Sequence, residues 1–443
     1  MADILLTHSN HMYSDRKQVR KMQPYPPLQT LILAALLRER GYAVAVCDVT
    51  LAASPDEAFE DALERHQPRV VGVVEDNFNF LTKMCLTRNR ELAFRMAARA
   101  RRTGVATFAN GAAATDHAAE FLGAGFDFVI AGEPEGAIGD VLDASQRGRV
   151  LRAPRVPLDS LPDPAWDLID IEEYRLAWKQ THGYFSINLV SSRGCPYRCN
   201  WCAKPVFGSG YSFRSPERVA REMGFAKREL GAEHVWFADD IFALSPQWTR
   251  AFADAVEVAG ARLPFKMQSR CDLMTRDTVG ALKRAGCAEV WMGAESGSQK
   301  ILDAMDKGTR VEHIYQAREN LRRHGIRACL FLQFGYPGET WEDIEKTIRM
   351  VRETAPDDVG ISVAYPLPGT RFHARVAAEL GEKANWRDSD DVSMMFRGAY
   401  PTEFYRELAD AVHAEVRGGD PRWDRVYALE RASDKPMPAW TFC

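Results

Sequence analysis

The sequence lacks what would carry a chain into a membrane or out of a cell. Its opening, MADILLTHSN, has no basic segment followed by an apolar one, so no secretory signal is read there. The longest apolar stretch, around Leu28 to Leu37, is much shorter than a membrane span requires. Charge of one sign is also missing. With 57 Lys and Arg against 61 Asp and Glu, the formal net charge of −4 gives no global attraction to nucleic acid or anionic lipid. There is no internal repeat and no low-complexity block. Nine cysteines, an odd number scattered over a long chain, argue against a disulfide framework and for a reducing, cytoplasmic setting. What remains is 443 residues, 46% hydrophobic and 27% charged, the composition of a soluble globular protein of two or three domains.

The first 145 residues alternate short β-branched runs with helical stretches. Strands are expected at Ala2–Thr7, Ala43–Val49, Val70–Val74, Val105–Ala109 and Phe126–Ala131, with helices at Leu28–Arg40, Pro55–His66, Arg90–Thr103 and Asp116–Gly123. Five strands separated by helices imply a doubly wound parallel sheet, which binds ligands at the carboxyl ends of its strands. Residues 146–182, with prolines at 154, 157, 162 and 164, read as a linker. Strand–helix alternation resumes over 183–380, at Ser186–Ser191, Val235–Phe237, Phe265–Gln268, Glu289–Met292, Ala328–Phe334 and Gly360–Ala364. Six such units suit a partial (β/α)6 barrel. Residues 381–443 form a short extension. In it Trp386, Met394, Met395, Phe396 and Tyr400 either line a pocket or pack the domains together.

Three cysteines, Cys195, Cys199 and Cys202, fall on the loop after the first barrel strand, in Ser192-Arg193-Gly194-Cys195-Pro196-Tyr197-Arg198-Cys199-Asn200-Trp201-Cys202. Three thiolates at this spacing can hold three irons of a [4Fe–4S] cubane and leave the fourth iron open to a small ligand. A structural zinc site would want a fourth Cys or His nearby, and no matching second pair is present.

This segment resembles the signature of the radical S-adenosylmethionine superfamily, with Trp201 as the aromatic before the last cysteine. Further matches lie at later strand ends: Phe237-Ala238-Asp239-Asp240, Gly293-Ala294-Glu295-Ser296-Gly297, Gly335-Tyr336-Pro337-Gly338-Glu339-Thr340 and Pro366-Leu367-Pro368-Gly369-Thr370. Together they are similar to the subgroup that carries an N-terminal cobalamin-binding domain. The resemblance implies that the open iron chelates S-adenosylmethionine, whose reductive cleavage yields a 5′-deoxyadenosyl radical. It points to Trp201, Asp239, Glu295, Ser296 and Gly335 as contacts of S-adenosylmethionine. Arg270 is a candidate partner for the methionine carboxylate, with an ordinary salt bridge as the equal alternative. Asp239 and Asp240, adjacent on an extended segment, point to opposite faces and make a poor metal chelate; one of them is expected at the barrel mouth.

The resemblance also implies a flavodoxin-like, cobalamin-binding first domain. Gly111 and Gly132 stand where close backbone approach to a corrin would be needed, and Asn77 and Asn110 are polar candidates nearby. The D-x-H-x-x-G loop that supplies a cobalt-ligating histidine in other cobalamin proteins is absent. His8 and His11 follow the first strand, where that loop would be; His11 is the candidate cobalt ligand, and a solvated loop histidine is the competing reading. The implied activity is cobalamin-dependent radical methylation of an unactivated carbon in a small molecule, with a flavodoxin or ferredoxin as reductant. Cyclisation or rearrangement is the alternative. A methylthiotransferase is disfavoured, because the first domain has only Cys47 and Cys85 and the tail is short and not basic.

Overall fold

The computed structural model describes residues 2–143, 146–204, 206–381, 383 and 385–433. Its first domain is a six-stranded sheet, all parallel: β1 (Ile4–Thr7), β2 (Val44–Cys47), β3 (Val70–Val74), β4 (Ala106–Asn110), β5 (Phe128–Ala131) and β6 (Arg149–Arg152). The order β2-β1-β3-β4-β5-β6 reverses direction beside β1, the arrangement that opens a crevice over the strand ends. β1 and β3 are central and almost wholly buried, which is why they read as continuous apolar runs. Helices cover both faces. Phe59, Leu92, Met96 and Phe121 pack on one side, and Leu33, Leu37, Phe108 and Ile138 on the other. Helix boundaries follow local chemistry. Ser54 caps the helix Pro55–His66 by accepting from the Glu57 amide, Pro55 occupies its first turn, and Gln67 ends it in the left-handed region.

β6 lies inside the segment read from sequence as linker, so the sheet continues beyond residue 145. Arg149-Val150-Leu151-Arg152 buries only Leu151, and so short an edge strand carries no clear alternation. The same segment also holds the helix Ile171–His182, capped by Asp170, whose Tyr174 and Trp178 are buried. Trp178 donates its indole N–H to the Pro24 carbonyl at 2.7 Å and so fastens this helix to the first domain.

The second sheet runs in sequence order through β7 (Ser186–Leu189), β10 (His234–Phe237), β11 (Phe265–Arg270), β12 (Cys287–Glu295), β13 (Arg327–Phe334) and β14 (Asp358–Val363). Every pair is parallel, and β7 and β14 are its two edges, so the sheet is a curled, open half-barrel. Between β7 and β10 a two-residue pair, β8 (Ser192–Arg193) with β9 (Ser212–Phe213), is antiparallel. The extension ends in the helices Thr402–Val416 and Trp423–Ser433, with Phe404, Tyr405 and Leu408 in the barrel's core. Trp386, Met395 and Phe396 are buried, and Trp386 stacks on Tyr365 at 4.1 Å. They pack. The strand of chain around them also bridges the domains: the Ser389 amide donates to Asp15 at 2.8 Å, and the Thr87 amide to the Trp386 carbonyl at 3.0 Å. Among the described residues no helix is long and apolar enough to cross a membrane.

Candidate active site

The cysteine loop is built from its two ends inward. β8 and β9 clamp residues 192–193 against 212–213. Gly194 then turns with φ +80, and a Cβ there would lie 2.3 Å from the Gly210 carbonyl oxygen, so no other residue fits. Cys195, Cys199 and Cys202 are half-buried free thiols. Lys204 donates to the carbonyls of Cys195, at 2.8 Å, and Tyr197, which folds the loop around a cation. Burial pushes the Cys195 thiol up and the Cys202 thiol up to about 12, against the pull of Lys204. Thiols held this way need a metal's charge to ionise. Among the described residues no three His, Cys, Asp or Glu side chains converge on a single ion. A cubane asks for something else, three thiolates on three different irons, and the donor set fits that.

Beneath the loop the two aspartates diverge, as adjacent residues must. Asp239 accepts from the Ser191 amide (3.2 Å) and from the hydroxyls of Ser191 and Ser192. Asp240 accepts from the Gly194 amide at 3.2 Å and from Lys83 of the first domain. Asp239 thus shapes the approach to the loop from a fully buried position.

Around the rim, Glu295 ends β12 with φ +61 and accepts from Lys307 at 2.7 Å; both side chains are buried. Lys307 also lies 6.0 Å from the Trp201 ring centre. Arg270 forks onto Asp272 (2.9 and 3.2 Å), donates to the Lys307 carbonyl and stacks on Tyr197 at 3.7 Å. The salt-bridge alternative for Arg270 is therefore realised, at a place that still touches the cysteine loop. Ser296 turns away: its hydroxyl lies 3.1 Å from that of Thr347 and accepts from the Ser298 amide. Gly335, with φ +77, donates its amide to Glu339 at 2.6 Å. Burial raises the Glu339 carboxyl to about 8, and its other oxygen has no partner, nor has the indole N–H of Trp201. Lys307 and Glu339 carry no site reading from sequence, although Glu339 sits within a strand-end motif and Lys307 ten residues beyond another.

The first domain's strand ends carry Asn77, which donates to Asn110 at 2.9 Å, while Asn110 donates to the carbonyls of Ile130 and Gly132. At Gly111 (φ +150) and Gly132 (φ +109) the protein itself leaves no space for a side chain. A Cβ at Gly111 would meet Glu75 at 2.8 Å and one at Gly132 the Ala153 carbonyl at 2.9 Å, both groups of the protein. His11 Nδ1 lies 2.7 Å from the Ser14 hydroxyl and Nε2 2.8 Å from the Ala52 carbonyl, so both ring nitrogens face partners within the protein. His8 is held equally, by Asp48 at 3.0 Å. What the strand ends do offer is acceptors. Glu75 Oε2, Asp76 Oδ2 and Asn77 Oδ1, three consecutive residues after β3, are buried without a partner. A corrin rim bearing amide N–H donors fits such a row.

The cysteine segment touches the first domain's strand ends. Arg193, two residues before Cys195, is buried and donates to Glu133 (2.9 Å) and Glu135 (2.7 and 3.2 Å), which follow β5. Its guanidinium lies 5.3 Å from the ring centre of Phe78 and 5.4 Å from that of Phe207.

Family comparison agrees with this division. Residues 22–142 match the B12 binding domain, and residues 189–351 match the Radical SAM superfamily. The chain is a radical SAM protein with an N-terminal B12-binding domain. Among relatives of this radical SAM chain, an uncharacterised methyltransferase of Pyrococcus horikoshii is 28% identical over 63% of this chain and 68% of its own length. The hopanoid C-3 methylase of Methylococcus capsulatus is 25% identical over 86% and 75%. The anaerobic magnesium-protoporphyrin IX monomethyl ester cyclase of Synechocystis is 22% identical over 57%, and the match spans only 54% of that relative. The fold is that of the radical S-adenosylmethionine methyltransferase TsrM of Kitasatospora setae (TM-score 0.68, 18% identity, 85% of this chain and 78% of that one). It is shared too with the cobalamin-dependent radical enzyme OxsB (TM-score 0.70, 14% identity, 98% and 71%).

Proposed function

We propose that this cobalamin-dependent radical SAM protein is a methyltransferase acting on an unactivated carbon of a small molecule. The single observation that carries the reading is the contact between the β5 end of the B12-binding domain and the cysteine loop through Arg193. Setting the cysteine loop against the strand ends of the B12-binding domain supports a substrate held between the two cofactors. Methyltransferases among the relatives support it, one of them aligned over 86% of the chain. When bound, the cluster and S-adenosylmethionine supply a hydrogen-abstracting radical and cobalamin supplies a methyl group.

In this reading Cys195, Cys199 and Cys202 hold three irons. Trp201, Arg270, Glu295 with Lys307, and Glu339 below Gly335 form the wall against S-adenosylmethionine. Asp239 and Ser296 hold that wall from behind. Glu75, Asp76, Asn77 and Asn110 take the corrin amides, and enclosure between the domains keeps water and stray reductants from the radical. A flavodoxin or ferredoxin in the cytoplasm is the proposed electron donor.

Cyclisation is the second reading, supported by the cyclase relative. The two part in one experiment. Anaerobically reconstituted chain is given methyl-labelled S-adenosylmethionine, hydroxocobalamin and a low-potential reductant, without substrate. Methyl transfer predicts label recovered with the corrin. Deoxyadenosine accumulating while the corrin stays unlabelled would favour cyclisation and sink the methyltransferase reading.

A further inference from the structure

The Arg193 contact invites a question beyond the reaction type: whether one cofactor site can sense the other. Arg193 is anchored on the barrel side by β8, next to Gly194 and Cys195. On the other side it ends in Glu133 and Glu135, all three side chains being at most 2% exposed. From Glu135 the hydrogen bonds continue. Gln29 donates its side-chain amide to Glu135 at 2.9 Å and its backbone amide to Asp76 at 3.3 Å. Asp76 is the middle member of the unpartnered acceptor row after β3. A path of hydrogen bonds through four residues, Arg193–Glu135–Gln29–Asp76, its last link made by the Gln29 backbone amide, therefore runs from the cysteine loop to the corrin-facing strand end. A second tie runs parallel, from Lys83 through Asp240 to the Gly194 amide.

We infer that Arg193 is a positioning residue that couples cobalamin binding to the geometry of the cluster loop. The physical reason is the cost of a half-satisfied buried ion group. A guanidinium wedged beside Phe78 and Phe207 has nowhere to find water, so the loop cannot shift without moving Glu133 and Glu135 with it. Donors arriving at Asp76 fix the backbone at Gln29, at the start of its helix, whose side chain orders Glu135, which fixes Arg193 and the turn at Gly194. Coupling of this kind is reciprocal: whatever the cluster does for cobalamin affinity, cobalamin does for the cluster. The inference does not depend on methyl transfer, because a cyclase with the same two cofactors would show the same coupling.

The test is a cobalamin titration of the full chain, followed by corrin absorbance, with the cluster reconstituted and again after the iron is stripped by chelator. For the native sequence, hydroxocobalamin should bind about tenfold more weakly without the cluster, within the usual range of site–site coupling. In Arg193→Gln the two affinities should become equal, with Arg193→Lys in between. An Arg193 that merely held the fold together would lower thermal stability and leave the ratio untouched. Should Arg193→Gln not fold, Glu133→Gln removes the charge of one of the arginine's partners and should shrink the ratio. In the native chain the electron paramagnetic resonance line of the reduced cluster should also change shape on adding cobalamin. Equal affinities in the native chain, an unchanged ratio in whichever of these variants folds, or a cluster signal indifferent to cobalamin would each overturn the inference.

Discussion

At the end of β3, Glu75, Asp76 and Asn77 each keep a buried oxygen without a partner, whereas at the end of β12 Glu295 is already closed onto Lys307 and, beside it, Arg270 onto Asp272. The first site is a row of acceptors that a donor-rich ligand would complete. The second has its charges fixed by the protein before any ligand arrives, the condition for electrostatic preorganisation. The exceptions there, the Trp201 indole and one oxygen of Glu339, mark where a ligand still finds something to bond. The corrin site should therefore gain order from its ligand, and the cluster site should depend on its own ion pairs.

The largest effect expected is from Cys199→Ala. It should abolish cluster absorbance and bring 5′-deoxyadenosine formation to background, while corrin still binds at the other site, more weakly. Next comes the ion pair. Lys307→Met leaves the Glu295 carboxylate buried and unpaired and should cost about 3–5 kcal/mol in urea unfolding, most of it recovered by adding Glu295→Gln. If Lys307→Met costs nothing, the second site is not preorganised as described.

A pH titration sharpens the contrast further. Burial raises the Asp76 carboxyl to about 7 and that of Glu339 to about 8. Both keep a proton in the folded chain that the unfolded chain releases above the ordinary carboxylate range, near pH 4 to 4.5. The native state binds more protons in that interval, so stability should fall as pH rises from there to about 8. Corrin donors at Asp76 would favour its charged form and flatten the part of the slope below about pH 7. Glu339→Gln should reduce the slope up to about pH 8 with or without cobalamin. An identical slope in apo and cobalamin-bound chain would mean that Asp76 does not meet the corrin. The smallest effect belongs to His11→Ala, which should leave the spectrum of bound hydroxocobalamin unchanged, because Ser14 and Ala52 already occupy both ring nitrogens.

The same contrast governs what could be read in advance. The cysteine loop was legible because its chemistry lies in local spacing, and the strands of both sheets because β-branched runs alternate with helical periods. β6 was not, since Arg149–Arg152 is too short and too exposed to carry a pattern. Neither was the helix Ile171–His182, hidden among prolines that suggested only linker. Among candidate residues, Glu295 and Gly335 stand out through strand-end motifs. Arg193 was quoted within the cysteine segment yet could not be recognised as an interdomain anchor, because its partners lie 58 and 60 residues away. For His11, position after the first strand says nothing about which groups its ring will meet.

One chain is expected to hold a cluster and a corrin at adjoining sites. Anaerobic reconstitution with iron, sulfide and excess hydroxocobalamin, then desalting and metal analysis, tests it most directly. The predicted result is about four irons and about one cobalt per chain, with 5′-deoxyadenosine formed on reduction in the presence of S-adenosylmethionine. A chain that keeps its iron while all cobalt passes into the flow-through would contradict it.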